Sequence, residues 1–178
     1  MKRLFCLFAL ALAACAPTPK GPPLPIKSVF AENKGKLWEC GNFDASKQTC
    51  EAVAKRAVRG DRVAYDMTLL MPKLPGIPGR ARINVQANFK IAGTAYCGRF
   101  TNARYRVTGV PREVAASLAQ GLKQEMMKEG EVCTRYYRNG TDGYISETTR
   151  RDGTPIDDGV GRVNFFGNAP ALRPVSLF

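Results

Sequence analysis

Cys40, Cys50, Cys97 and Cys133 are the residues of this sequence whose type and spacing speak most directly to chemistry. Four thiols can form two disulfides in three pairings, or one four-thiolate metal site. A structural zinc site usually carries a Cys-x-x-Cys pair. No such pair occurs here, so neither zinc nor a thioredoxin-like redox site fits the spacing. Pairing Cys40 with Cys50 would close a short loop across a turn at 41–49. Pairing Cys97 with Cys133 would tie the strand before a long helix to the strand after it. These are the favoured pairings, and each would add about 2–4 kcal/mol. The chain has no His, which excludes a Ser-His-Asp triad, a Cys-His dyad and imidazole metal ligation. Ser46, Ser117, Ser146 and Ser176 sit in no Gly-x-Ser-x-Gly context. Asp142, Asp152, Asp157 and Asp158 are interleaved with Gly and lack EF-hand spacing, which reads as turn chemistry. A carboxylate pair could in principle hydrolyse a glycoside, and that is the enzymatic alternative. No metal and no cofactor is expected.

The charge is the second chemical signal. There are 27 Lys plus Arg against 15 Asp plus Glu. A balance this basic favours polyanionic neighbours. Arg104-Tyr105-Arg106 and Arg135-Tyr136-Tyr137-Arg138 combine guanidinium groups that grip phosphate with rings that stack. On a strand, neighbours point to opposite faces, so Tyr105 is directed to the core and Arg104 and Arg106 to water. The segment 72–80 reads PKLPGIPGR and places Leu74 and Ile77 at a hairpin tip beside Lys73 and Arg80, with Arg82 just beyond. Apolar groups among cations at such a tip are a candidate contact with a partner or a lipid surface.

The elements that must carry these groups begin after a leader. Met1-Lys2-Arg3 is basic, and Leu4 to Ala14 is an unbroken apolar run ending at Cys15. Eleven residues of helix cover roughly 16 Å, too short to cross a bilayer, as in the h-region of a signal peptide. Leu12-Ala13-Ala14-Cys15 resembles the lipobox of bacterial lipoprotein precursors. The resemblance covers the first fifteen residues only. It implies cleavage before Cys15 and acylation of that residue, a stable anchor at about 0.8 kcal/mol per buried CH₂. Ala16 and Pro17 follow Cys15, not the Asp that retains such proteins at the inner membrane. The resemblance therefore implies the periplasmic face of the outer membrane. Loss of Lys2 and Arg3 with the leader would leave a charge of about +10.

Residues 1–14 are thus read as signal peptide, 15–25 as lipidated Cys and tether, and 26–178 as one domain. Five of the ten residues of APTPKGPPLP (16–25) are Pro. Such a spacer favours extended polyproline II and spans roughly 30 Å. The remaining residues, about 150, suffice for a single core. The segment 28–33 reads as a short strand and 36–40 as a second. Asp44 is placed to cap a helix in which Cys50, Val53, Ala54, Ala57 and Val58 share one face. Strict alternation over 63–71 and 81–91 predicts two strands of an antiparallel sheet with one face buried. Strands at 96–100 and 104–108 continue it. Pro111 opens a helix with the stripe Val114, Ala115, Leu118, Leu122 and Met126, which Gly130 ends. Strands at 132–138, 144–149 and 161–166 follow. The expected class is α+β: a mostly antiparallel sheet packed by one or two helices and stapled by two disulfides.

The expected function is that of a non-enzymatic envelope lipoprotein, a tethered binding or scaffold module such as one subunit of an envelope assembly. Its partners would be the membrane, through the lipid anchor, and an anionic envelope surface or an envelope protein. Nucleic acid is not the expected polyanion for an envelope protein. The competing class is an enzyme that modifies cell-wall glycan or lipid with carboxylates. A lysozyme inhibitor would also fit lipidation, disulfides and β content, but a basic inhibitor would be repelled by a basic lysozyme.

Overall fold

The structure, a computed structural model, describes residues 17–141 and 143–175, without the side chain of Asp158. The segment expected as a leader, Cys15 and Asp142 lie outside the described residues. The chain begins with α1 (Ile26–Glu32), then β1 (Trp38–Gly41), β2 (Thr49–Cys50), β3 (Ala52–Arg59), β4 (Arg62–Leu70), β5 (Arg82–Ala92) and β6 (Ala95–Arg99). A 3-10 turn (Phe100–Asn102) leads to β7 (Arg104–Thr108), α2 (Arg112–Lys128), β8 (Glu131–Arg138), β9 (Tyr144–Arg150), β10 (Pro155–Phe166) and β11 (Ala171–Leu172).

The expected sheet packed by helices is not what forms. The protein is mostly β, and its main sheet closes into an eight-stranded antiparallel barrel. Around the wall the order is β4-β3-β1-β10-β9-β8-β6-β5, and β5 pairs back to β4. β5 makes closure possible. Residues Arg82–Lys90 pair with β4, while its other edge pairs first with β7 (Arg82–Gln86) and then with β6 (Lys90–Ala92). A closed wall leaves few edges and turns the buried face of each strand toward its own lumen rather than toward a helix layer. One tight fit in this wall is Gly98 of β6, where an added Cβ would stand 2.7 Å from the Phe89 ring.

Two local expectations change with the architecture. The segment expected as a first strand is the helix α1, whose Ile26, Val29 and Phe30 fall at helical spacing and are buried. It crosses one end of the barrel. Leu24 N–H donates to the Tyr136 carbonyl and Ile26 N–H to that of Gly93, at 2.8 and 3.0 Å. The segment expected as a helix after Asp44 is the strand β3. Its apolar residues fit a helical face by spacing, but Ala54 and Arg56 face the lumen while Lys55, Ala57 and Arg59 are exposed. Asp44 serves a turn instead. Its Oδ1 accepts from Ser46 N–H at 3.0 Å and Ser46 Oγ at 2.6 Å.

The helix α2 forms over the residues expected but has no fully buried residue. It packs on β7 and the 3-10 turn, with Leu122 and Met126 reaching the core. The main core fills the barrel. A second cluster, Cys40, Cys50 and Val53 with Trp38, Phe43, Phe166 and Leu172, lies apart from it. Both clusters fall between Leu24 and Leu172, so the chain from Ala16 onward carries the whole described core. Disulfides join Cys40 to Cys50 and Cys97 to Cys133. Cys97 and Cys133 stand directly opposite each other on β6 and β8.

Candidate functional site in the barrel lumen

Alternation along β1 turns Trp38 and Cys40 to the second cluster and Glu39 to the lumen. Glu39 is only 7% exposed, and beside it Arg56 of β3 is only 3% exposed. Charges this deep need partners, because desolvation of each ion costs several kcal/mol. Glu39 Oε1 accepts from the Tyr65 hydroxyl at 2.7 Å and stands 3.4 Å from Arg56 Nη1. Oε2 accepts from the Tyr136 hydroxyl at 2.8 Å. The Tyr96 hydroxyl lies 3.3 Å from that of Tyr136 and continues the network. Arg56 Nη2 donates to the carbonyls of Asn33 and Lys36, each at 3.0 Å. Its guanidinium lies 4.6 Å from the Phe30 ring centre and 4.5 Å from that of Phe165. Arg56 therefore joins α1 and the segment after it to the barrel wall.

The electrostatics follow from burial. Desolvation raises the Glu39 carboxyl above its ordinary value, against the opposing pull of Tyr65, Arg56 and Tyr136. Burial, and then the Glu39 charge, push the Tyr65 and Tyr136 phenols well above theirs and Tyr96 up to about 12. The three tyrosines are thus neutral groups able to donate hydrogen bonds.

Beyond this cluster, on the side away from α1, lies a cavity of about 220 Å³. Glu39, Tyr65 and Tyr136 stand at its inner end, and Phe89, Phe100 and Val132 form apolar wall. Gly41, Ala52, Ser146 and Thr148, all half-buried, line the rest. Small side chains on β1, β3 and β9 leave this space unfilled, whereas small eight-stranded barrels are otherwise packed by their own side chains or hold one small ligand. Among the described residues, no group of three His, Cys, Asp or Glu is placed to hold a metal ion.

Of the residues singled out in the sequence as binding candidates, Tyr136 lines the lumen and the basic and loop residues lie outside it. Arg82, Arg104 and Arg106 share the exposed outer face of β5 and β7, where Arg106 is registered with Asn84 and Arg104 with Gln86. Lys73 and Arg80 are exposed on the β4–β5 loop, and Leu74 and Ile77 are half-buried there. Of the acidic group, Asp152 accepts from Thr154 N–H at 2.9 Å in a turn, and this bonding lowers its pKa. Sequence reading missed Glu39, Arg56, Tyr65 and Tyr96 as site residues and named Tyr136 only as part of a basic cluster. A charged residue on a strand reads as an outward residue, and only its neighbours in space show otherwise.

Fold and site together define a closed small barrel with an internal, mostly apolar cavity and one buried carboxylate. No protein-family model, no curated protein and no solved structure matches the chain.

Proposed function

We propose that this protein is a lipid-anchored, non-enzymatic binding module of the bacterial envelope, held at the periplasmic face of the outer membrane by acylated Cys15, whose barrel lumen takes up a small and mostly apolar molecule. The observation that carries the binding reading is the cavity of about 220 Å³ with Glu39, Tyr65 and Tyr136 at its inner end. Apolar cavities of this scale hold molecules the size of a substituted benzene. The polar groups at the inner end supply orientation through hydrogen bonds. Glycoside hydrolysis needs two flanking carboxylates. Glu39 is the one carboxylate among the residues lining the lumen, which supports binding over catalysis.

The test is calorimetric titration of the chain from Ala16 with 4-ethylphenol. Saturable binding is expected. Ala52→Trp, which fills the cavity, should weaken it about tenfold or more. No heat at any soluble concentration would reject the lumen as a ligand site. The anchor is tested separately. Cys15→Ser should accumulate as uncleaved precursor that incorporates no labelled fatty acid; normal labelling of that variant would reject acylation at Cys15.

A further inference from the structure

Among the described residues, the large apolar side chains that are exposed are Leu37 (44%), Val58 (42%) and Met127 (46%). Two of the three, Leu37 and Val58, lie at the barrel end that α1 crosses. They line one groove with Lys27 and Lys34, about 410 Å³ in volume. The same end carries a row of like charges. Arg59 is registered directly opposite Arg62, and Arg62 directly opposite Lys90, all three exposed. Like charges facing each other across strands are destabilising, so the row costs stability in the free protein. Two acidic groups share this end with the five cations Lys27, Lys34, Arg59, Arg62 and Lys90. Glu32 of α1 is bound to Arg138 at 2.8 Å, and Asp61 sits exposed in the turn between Arg59 and Arg62.

We infer that this end of the barrel is a membrane-docking face, with Leu37 and Val58 entering the interface of an anionic bilayer and Lys27, Lys34 and Arg59 contacting lipid phosphates. Apolar side chains rimmed by cations are the combination that interfacial binding uses. Chain geometry points to the same end. The tether enters the fold there, where Leu24 hydrogen-bonds to Tyr136 and packs on the core. The nine residue-to-residue steps from Cys15 to Leu24 span at most about 30 Å even when extended. The β4–β5 loop bearing Leu74 and Ile77 lies at the opposite end of β4. Nine residues of strand place it roughly 30 Å away before tilt is allowed for. Docking through α1 also turns the cavity away from the lipid surface. The proposal takes its orientation from the tether reading, but its test does not need the anchor.

The chain from Ala16, which lacks the acylated residue, is sedimented with vesicles of phosphatidylcholine alone or mixed with phosphatidylglycerol. Binding to the mixed vesicles, weakened by added salt, is expected. Lys27→Ser, Lys34→Ser and Arg59→Ser together should weaken it on the order of a hundredfold. Leu37→Ser with Val58→Ser should weaken it about tenfold at unchanged charge. All five side chains are exposed, and unchanged melting temperatures would confirm that the variants fold. The loop variant Leu74→Ser/Ile77→Ser should bind as the parent does. Absence of binding to the mixed vesicles, indifference to salt, or a greater loss from the loop variant than from the α1-end variants would overturn the proposal. Failure of acylation at Cys15 would leave these outcomes unaffected.

Discussion

Arg56→Met should destabilise the barrel by about 3–5 kcal/mol. The substitution keeps much of the apolar stem between Phe30 and Phe165 but strands Glu39 without its counter-charge in a 7% exposed position. It also leaves the carbonyls of Asn33 and Lys36 without the guanidinium, which removes one of the ties between the α1 region and the wall. The double variant Glu39→Gln/Arg56→Met should recover a large part of the loss, because a neutral amide removes the unpaired charge while still accepting from a tyrosine. Urea denaturation of the parent, both single variants and the double variant measures the coupling. A loss below about 1 kcal/mol for Arg56→Met would mean that the pair does not hold the end of the barrel closed.

Glu39 also gives this site a pH signature. Its folded pKa lies above its ordinary value, so the folded state binds more protons than the unfolded state in the window between the two. Stability contributed by Glu39 therefore falls as pH rises through that window, which opens near 4.3. Glu32, Asp44 and Asp152 act in the opposite sense. Their folded values are lowered by hydrogen bonds from Arg138, Ser46 and Thr154, so their contributions are lost as pH falls through those values. The Glu39 effect is thus read from the difference between parent and Glu39→Gln. That difference should shrink toward acid and grow as pH rises from the ordinary Glu value. A difference independent of pH would show that Glu39 titrates alike in both states.

Removing the disulfides should have the next largest effect. By loop closure, Cys97→Ser/Cys133→Ser should cost about 4 kcal/mol and Cys40→Ser/Cys50→Ser about 3 kcal/mol, for sequence separations of 36 and 10. The longer loop is also the one that structure makes sensitive. β6 pairs with β5 over only three registered positions, and the chain then leaves the wall through the 3-10 turn toward β7. The Cys97–Cys133 bridge ties β6 to β8 beside this joint. The two bridges should also differ toward reductant. Cys40 and Cys50 are both fully buried, whereas Cys97 is half-buried, so the bridge at β6 should open first. Mass spectrometry after timed reduction and alkylation gives that order, and denaturation gives the cost. Simultaneous opening would show that opening requires global unfolding.

Strand β5 was legible because its apolar and polar residues alternate along its length, whereas the longest strand, β10, was expected only from Gly161 and begins at Pro155. Ile83, Val85, Ala87, Phe89 and Ile91 are buried, and the exposed Arg82, Gln86, Asn88 and Lys90 alternate with them. The stripe of α2 and the four cysteines from Cys40 onward carried their own elements equally well. The sequence did not say what covers the buried face. Period two marks a face as apolar whether it meets a helix or the opposite wall of a barrel, and closure depends on β4 and β5 finding each other while β6 and β7 share one edge. Small residues misled where they carried no strong pattern. Ala54 and Ala57 fit a helix face and a strand equally, and three-dimensional pairing with β1 and β4 decided for a strand. Glu39 and Arg56 were hidden for a related reason. A charge in a sequence predicts water, and it becomes an interior residue only where a counter-charge, tyrosine hydroxyls and backbone carbonyls converge on it. Those partners come from the segment after α1 and from β1, β3, β4 and β8, spread over about a hundred residues, so only the closed barrel brings them together.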